Sequence, residues 1–159
     1  KEHKGGTIYY DRQLGDFTAT LEFKLPKGGN NGLAIRYPGS GDTAYVGMCE
    51  LQVLDDNYEQ ATGSKIDARQ AHGSAYGMIA AARGYQRPIG EWNYQRVTVR
   101  GSTIQVELNG TLILNGDLAT VKDLMANSPH PGKDRLAGFF GFAGHNDPVA
   151  FRNVRLKDL

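Results

Sequence analysis

Residues 94–114, with the sequence Tyr-Gln-Arg-Val-Thr-Val-Arg-Gly-Ser-Thr-Ile-Gln-Val-Glu-Leu-Asn-Gly-Thr-Leu-Ile-Leu, give the clearest indication of the fold class. Apolar and polar side chains alternate on both sides of Gly101-Ser102 and again after Asn109-Gly110. Alternation with a period of two is typical of strands with one buried face, and Asn-Gly between two such runs is a strong hairpin signal. The stretch therefore predicts three consecutive antiparallel strands.

Short alternating runs elsewhere in the chain predict further strands, and 21 glycines supply turns between them. The predicted strands are residues 7–10, 16–25, 33–37, 45–54 and 149–156. Residues 117–126 show a weak helical pattern with Asp117 as a candidate N-cap, and the polar stretch 56–75 is long enough to predict a functional loop. This pattern predicts an all-β fold, an antiparallel β-sandwich or jelly roll.

The size and charge of the chain narrow the classes of protein to consider. With 159 residues, 1–159 fits a single domain. The 18 Lys and Arg residues nearly balance 17 Asp and Glu residues and are scattered, so no nucleic-acid partner is predicted. No apolar run approaches the ~20 residues of a membrane span, and no signal segment is recognisable. Cys49 is the single cysteine, which excludes a multi-cysteine zinc site.

Glu50 and Gln52 are unusual in the predicted strand 45–54. Cys49, Leu51 and Val53 point to one side of that strand, so a carboxylate and an amide share the other side. Burying such groups without partners costs on the order of 1–3 kcal/mol each, so we expect them to meet a ligand or to lie in solvent. Arg36, on the neighbouring predicted strand, is expected on the same face, where it could bind substrate or form a structural salt bridge with Glu50.

Several short strings occur in an order and spacing similar to one known family. They are Gly15-Asp16-Phe17, Gly29-Asn30-Asn31-Gly32-Leu33-Ala34-Ile35-Arg36, Glu50-Leu51-Gln52-Val53-Leu54-Asp55, His72-Gly73-Ser74-Ala75-Tyr76-Gly77, Gly90-Glu91-Trp92-Asn93, Leu108-Asn109-Gly110, Gly141-Phe142-Ala143-Gly144-His145 and Phe151-Arg152-Asn153-Val154-Arg155. Together they resemble the 3-keto-disaccharide hydrolase domain family. The chain differs from the family pattern by the polar insertion 57–71 and by the expected lack of the first strands.

The resemblance implies a concanavalin A-like jelly roll in an exported or periplasmic bacterial protein, with a carbohydrate bound on a concave sheet face. It implies three catalytic candidates, Glu50, His72 and His145. The candidates for substrate binding are Arg36, Gln52, Tyr76 and Trp92.

Three of these residues also have a structural interpretation. A loop histidine such as His72 is often only solvated, the imidazole of His145 could bond a turn backbone, and Trp92 could be a core residue rather than a platform for a sugar. No cofactor is certain, and a divalent metal is left open, with Asp55, Asp56 and Asn57 as oxygen ligands for calcium.

The chemistry of a 3-keto sugar would suit a site with one carboxylate. Ordinary glycosidases use two carboxyl groups, whereas a carbonyl at C3 acidifies the proton on C2 and lets the group on C1 leave by elimination. The resemblance thus implies a hydrolase of 3-keto-glycosides, for which our hypothesis is abstraction of the C2 proton, elimination of the leaving group and then addition of water. Two alternatives are a non-catalytic carbohydrate-binding module and an interaction domain with a solvated strand face.

Overall fold

The computed structural model describes residues 6–159, and its two antiparallel sheets confirm the predicted all-β sandwich of jelly-roll type. The strands are β1 (Thr7–Tyr9), β2 (Phe17–Lys24), β3 (Asn30–Tyr37), β4 (Cys49–Leu54), β5 (Asn93–Arg100), β6 (Thr103–Leu108), β7 (Thr111–Asp117), β8 (Phe139–Gly144) and β9 (Ala150–Asp158). One sheet has the order β1-β8-β3-β4 and the other β7-β6-β5-β2-β9. The predicted hairpins of residues 94–114 are strands β5, β6 and β7, paired in sequence.

Helical structure is short throughout the described part of the chain. It consists of α1 (Thr43–Val46), α2 (Tyr58–Thr62) and three 3-10 turns, Ala68–Gln70, Leu118–Thr120 and Met125–Asn127. The helix predicted over 117–126 is therefore wrong as one element, although the Asp117 side chain does accept a hydrogen bond from the Ala119 amide. In residues 6–159 no helix has the length and apolar character needed to cross a membrane.

The predicted strand 45–54 begins later than the alternation suggests. Asp42 accepts a hydrogen bond from the Ala44 amide and caps α1, so the chain turns helical before it enters β4 at Cys49. Residue propensity and alternation alone do not distinguish a four-residue helix from the first residues of a strand. In such a short segment a single N-cap hydrogen bond is enough to favour the helix.

The core lies between the two sheets and is built from the apolar side of each strand. It includes Phe17, Leu21, Leu33, Leu51 and Val97, all almost fully inaccessible to solvent. Burying a side chain of this size contributes roughly 1.5–3 kcal/mol relative to exposure. Because β4 turns Cys49, Leu51 and Val53 into this core, Glu50 and Gln52 must face away from it.

The face of the four-stranded sheet that is turned away from the core, called here the outer face, is hollow because small residues line it. Gly32 and Ala34 on β3 are paired with Ala143 and Gly141 on β8. Residues 73–76 run along the free edge of β4. There the backbone N–H of Gln52 donates to the carbonyl oxygen of Ser74 at 3.0 Å, and the backbone N–H of Tyr76 donates to the carbonyl oxygen of Glu50 at 2.9 Å. This segment closes one side of the hollow and carries Tyr76 to it.

Candidate functional site

A pocket of about 210 Å³ lies on the outer face of the four-stranded sheet. It brings together four residues that were predicted from the sequence, namely Glu50, Gln52, Tyr76 and His145. The remaining lining residues are Asn30, Asp42, Ala44, Tyr45, Leu54, Tyr58, Ile66 and Gln70. The site thus combines one face of β4, helix α1, the loop that contains α2, and the end of β8.

Glu50 is the most buried ionisable group of this pocket, with 3% of its surface exposed. Its Oε2 accepts a hydrogen bond from the Thr43 hydroxyl at 3.1 Å, and its Oε1 lies 3.4 Å from Nε2 of His145. The side chain leans across β3 at Gly32, where a Cβ atom would overlap the carboxylate. Glu50 is therefore held by partners on two sides and by a glycine that leaves room for it.

His145 directly follows β8, and 44% of its side chain is exposed. The hydrogen bond to Glu50 raises the pKa of His145 above its usual 6.5, while partial burial acts in the opposite direction. The charges of Glu50, Asp147 and Asp42 also favour the protonated imidazole. His145 is thus suited to give a proton to a ligand, with the adjacent carboxylate stabilising its charge.

The polar groups beyond this pair are connected by hydrogen bonds. The Gln52 amide nitrogen donates to Asn30 Oδ1 at 2.7 Å, and the Gln70 amide nitrogen donates to the Tyr76 hydroxyl at 3.0 Å. Because the Tyr76 oxygen already accepts a hydrogen bond, its own O–H can donate into the pocket. Tyr76 also packs edge-on against Tyr45, with ring centroids 6.3 Å apart.

Helix α1 contributes site residues that the sequence reasoning did not single out. Asp42 brings a second carboxylate to the pocket, Thr43 contacts Glu50, and burial raises the pKa of Tyr45, which keeps its hydroxyl protonated. The available signal was Asp42 itself, an N-cap residue type after a glycine-rich turn. The predicted strand 45–54 overlapped the end of α1, so the sequence analysis did not recognise Asp42 as the start of a helix.

The prediction that Arg36 shares a face with Glu50 is wrong. The pairing of β3 with β8 shifts between Ala34 and Tyr37, and Arg36 has a φ of 49°, so a bulge turns its side chain away from the outer face. The guanidinium is fully buried, and burial lowers its pKa although Asp16 opposes this. It donates to Asp16 Oδ1 at 2.9 Å and to the carbonyl oxygens of Gly15, Gly101 and Arg135 at 3.0, 2.6 and 2.8 Å.

His72 lies in the interior and not in the pocket with Glu50. Its Nδ1 accepts a hydrogen bond from the Leu54 amide at 3.3 Å, which leaves Nε2–H to donate to Gln95 Oε1 at 2.9 Å. The ring stacks on Phe23 with centroids 4.9 Å apart. Complete burial lowers the pKa of His72 to about 4, so it is a neutral structural histidine near pH 7.

Trp92 is also outside the pocket. It precedes β5 in the five-stranded sheet, where Lys24 Nζ lies 5.0 Å and Arg152 Cζ 4.0 Å from the centre of its ring. The ring is half-buried beneath these two cations. This position supports neither a sugar platform beside Glu50 nor the fully buried core position.

The acidic turn considered for calcium satisfies backbone donors instead. Asp55 accepts from the amides of Gly28 and Asn57, at 2.8 and 2.9 Å, and Asp56 accepts from the Gly84 amide at 3.1 Å. Over residues 6–159 there is no cluster of three or more His, Cys, Asp or Glu side chains that could hold a metal ion. The arrangement therefore does not fit the calcium hypothesis.

Fold and pocket together define a β-sandwich protein with a polar, tyrosine-lined pocket on one sheet face. The sequence matches the 3-keto-alpha-glucoside-1,2-lyase-like domain family over residues 1–157, and the chain belongs to that family. This confirms the resemblance seen in the sequence.

A 3-keto-disaccharide hydrolase from Bacteroides thetaiotaomicron is 30% identical over 182 residues, which cover 98% of this chain and 62% of that protein. The chain thus spans less than two thirds of this relative. Two crystal structures of candidate glycosyl hydrolases from Parabacteroides distasonis superpose on this chain, each with a TM-score of 0.82. The first is 24% identical, and the match covers 99% of this chain and 85% of that protein. The second is 22% identical, and the match covers 100% of this chain and 77% of that protein.

A third solved structure, the carbohydrate-binding module CBM66 from Bacillus subtilis, has a TM-score of 0.57 at 13% identity, covering 99% of this chain and 84% of the module. At these low sequence identities, the structural similarity shows only that the fold is shared. That the chain lacks the first strands of its family stays a prediction.

Proposed function

We propose that this protein hydrolyses 3-keto-glycosides by elimination of the leaving group followed by addition of water. The observation that carries the proposal is the Glu50–His145 pair, with Nε2 and Oε1 3.4 Å apart in a polar pocket. A carboxylate beside an imidazole whose pKa is raised provides a base and an acid at one place. Family membership supports a substrate of the 3-keto-sugar class.

In the first step the Glu50 carboxylate takes the proton from C2 of the keto sugar. The electron pair of the C2–H bond forms a C2=C3 double bond, and negative charge develops on the oxygen at C3. The Tyr76 hydroxyl, which accepts from Gln70 and so can donate into the pocket, is the proposed stabiliser of this charge. Arg36, named in the sequence analysis as a candidate for substrate binding, is not available for this role, because its side chain is turned away from the pocket.

In the second step the C3 carbonyl forms again, a C1=C2 double bond appears, and the C1–O bond breaks. Protonated His145 gives its proton to the departing oxygen. Water then adds its oxygen to C1, and C2 receives a proton, so the net result is hydrolysis with no other reactant. Because the side chains of Glu50 and His145 are in contact, the proton that Glu50 takes can pass to His145 and restore the starting state.

The test compares a 3-keto-α-glucoside with its unoxidised parent. We expect cleavage of the keto substrate alone, and in heavy water we expect deuterium at C2 of the released keto sugar. Asp42 makes this comparison necessary, because it supplies a second carboxylate of the kind that ordinary glycosidases use. Equal cleavage of both substrates, with no deuterium at C2, would contradict the elimination route.

A non-catalytic carbohydrate-binding role is the second candidate. It is favoured by the three tyrosines of the pocket, Tyr45, Tyr58 and Tyr76, since aromatic rings and amides bind sugars without any proton transfer. Sugar binding measured by calorimetry, with no turnover of either substrate, would support this role. Export to the periplasm of a bacterium is a further proposal that rests on the family resemblance.

A further inference from the structure

We propose that neutral His130 is a positioning residue for the tyrosine wall of the pocket, Tyr45 and Tyr76, and that protonation of His130 releases this wall. The inference is carried by the burial of His130, by its two unpartnered ring nitrogens and by the chain segment that contains it. It goes beyond the proposed function, because it holds whether the pocket cleaves a sugar or only binds one.

Residues 125–135, called here the strap, are attached to helix α1 and to the turn that follows the edge segment 73–76. The backbone N–H of Met125 donates to the carbonyl oxygen of Gly77 at 2.9 Å, and the backbone N–H of Gly132 donates to the carbonyl oxygen of Tyr45 at 3.1 Å. The strap thus holds both parts of the chain that carry the tyrosine wall.

His130 lies between the strap and this wall, with 6% of its surface exposed. Its ring packs edge-on against Tyr45, with centroids 4.9 Å apart, and Tyr45 packs in the same way against Tyr76. Gly77 leaves room for the imidazole, because a Cβ atom there would lie 3.0 Å from Nε2 of His130. Since His130 is not one of the residues that line the pocket, it acts on a ligand through Tyr45.

Neither ring nitrogen of His130 has a hydrogen-bond partner within residues 6–159. His72, the other buried histidine of this part of the chain, is bonded at both nitrogens. A neutral imidazole without partners leaves one donor and one acceptor unpaired, whereas the protonated ring has two unpaired donors and a charge, which is far more costly to bury. Burial accordingly lowers the pKa of His130 below its usual 6.5.

The charged groups near His130 do not offset this cost, because burial alone accounts for the lowered pKa. Several of these groups are already engaged: Lys133 pairs with Asp134 at 2.8 Å, and the Arg135 guanidinium donates to the Val46 carbonyl oxygen at 2.7 Å. The ionisable groups on the elements around the ring are Asp42 and Tyr45 on α1, Tyr76 before the turn, Arg69 with its partners Asp67 and Asp123, and Lys133, Asp134 and Arg135 on the strap. Protonated His130 is therefore solvated only when the strap opens.

Hydrogen exchange at the Met125 and Gly132 amides measures this opening. In the open state the imidazole regains a pKa of about 6.5, so the open population should rise about tenfold between pH 7.5 and 5.5. We expect protection at both amides, corrected for the intrinsic exchange rate, to fall by this factor. The Ala61 amide, which donates to the Asn57 carbonyl oxygen in α2, is the internal control and should change less than twofold.

His130→Leu removes both ring nitrogens and keeps a side chain of similar volume. We expect protection of the two strap amides to vary less than twofold over this pH range, and to be no lower at pH 7.5 than in the unaltered protein, because no unpaired polar group is left in the interior. His72→Gln is the matched control, since it replaces the other buried histidine and should retain the tenfold loss. His130→Met repeats the test should His130→Leu not fold.

A loss of protection below twofold in the unaltered protein, or an equal loss in His130→Leu, would overturn the proposal.

The positioning role is tested with methyl 3-keto-α-glucoside in the unaltered protein. A ligand that needs the wall in place binds only the closed state, so at ten times its Kd it should slow exchange at both strap amides about tenfold. Binding seen by calorimetry with unchanged exchange would show that the strap does not position the pocket. If this ligand does not bind, the proposed function fails, and the exchange of the free protein and its variants decides the role of His130.

Discussion

His145 Nε2 lies 3.4 Å from Glu50 Oε1 although the two residues are 95 positions apart in the chain. The contact forms because β8 and β4 flank β3 in one sheet, which brings the end of β8 to the carboxylate on β4. In this pair the imidazole is half-exposed and the carboxylate almost completely buried. The proposed mechanism uses this contact to move a proton between a ligand, His145 and Glu50.

Replacing Glu50 by Gln removes the charge of the proposed base while keeping the shape of the side chain. We expect kcat for a 3-keto-glucoside to fall roughly 10²–10⁴-fold, the range typical for loss of a general base, with the melting temperature nearly unchanged. The control is Glu107→Gln, the same exchange at a partly exposed site on β6, outside the pocket. A Glu50→Gln protein that melts early but turns over normally in its folded fraction would show that Glu50 is only structural.

The protonation of His145 should be visible in solution. Because the Glu50 hydrogen bond raises the pKa of His145, the acid form persists above pH 6.5, and kcat/KM should decrease as pH rises through this elevated pKa. Titration of the imidazole protons by NMR should show the raised pKa directly. In Glu50→Gln the pKa of His145 should decrease, because the hydrogen bond to the carboxylate and its charge are lost while burial remains; an unaltered titration would contradict this coupling.

Gly32 is expected to position Glu50. A Cβ atom at residue 32 would overlap the Glu50 carboxylate, so Gly32→Ala must displace that side chain. We expect kcat to fall at least tenfold, with a smaller change in KM and no change of fold by circular dichroism, since displacing a catalytic group by about an ångström costs on the order of 10²-fold. Gly15→Ala is the control, because a Cβ there makes only an ordinary contact of 3.7 Å. Equal activity of the two variants would show that Glu50 tolerates displacement.

The sequence predicts the sheet far better than it predicts the site. The period of two in residues 94–114 and the Asn109-Gly110 turn are local signals, and β5, β6 and β7 form where those signals place them. Glu50 and Gln52 could also be found, because polar residues on one side of an apolar strand are visible in the sequence. Simple alternation fails at Arg36, where a bulge with positive φ changes the face.

Histidines show a second limit of sequence reasoning. His72 and His145 each lie next to a glycine, yet one stacks on Phe23 in the core and the other contacts Glu50. Their environments depend on strands that are distant in the chain. The family resemblance correctly indicated the fold but did not distinguish these two positions.

Arg36 should contribute to stability and not to turnover. Arg36→Met leaves the carbonyl groups of Gly15, Gly101 and Arg135 without their donor, so we expect the free energy of unfolding to fall by on the order of 3 kcal/mol in urea denaturation. Arg36→Lys should recover little of this loss, because an ammonium group cannot reproduce the planar fork. The kcat of the folded fraction should stay within about twofold of that of the unaltered protein. A large loss of kcat would show that Arg36 takes part in the reaction.

The buried His72 predicts a specific dependence of stability on pH. Its pKa is about 4 in the folded protein and 6.5 as a free side chain, so between these values the unfolded chain binds more protons than the folded one. The free energy of unfolding should therefore decrease as pH falls from 6.5 to 4, by about 3 kcal/mol in total from this residue.

Urea denaturation across this pH interval measures the effect of His72. His72→Gln retains a hydrogen-bonding side chain that does not titrate, so we expect most of the acid dependence to disappear in this variant. In His145→Gln the decrease between pH 6.5 and 4 should persist with nearly the same slope, because a group whose pKa is raised by folding stabilises the fold by a constant amount below its unfolded pKa and loses this contribution only as pH rises through the folded pKa. If His72→Gln loses stability toward acid as steeply as the unaltered protein, the neutral, buried state of His72 is not the source of the dependence.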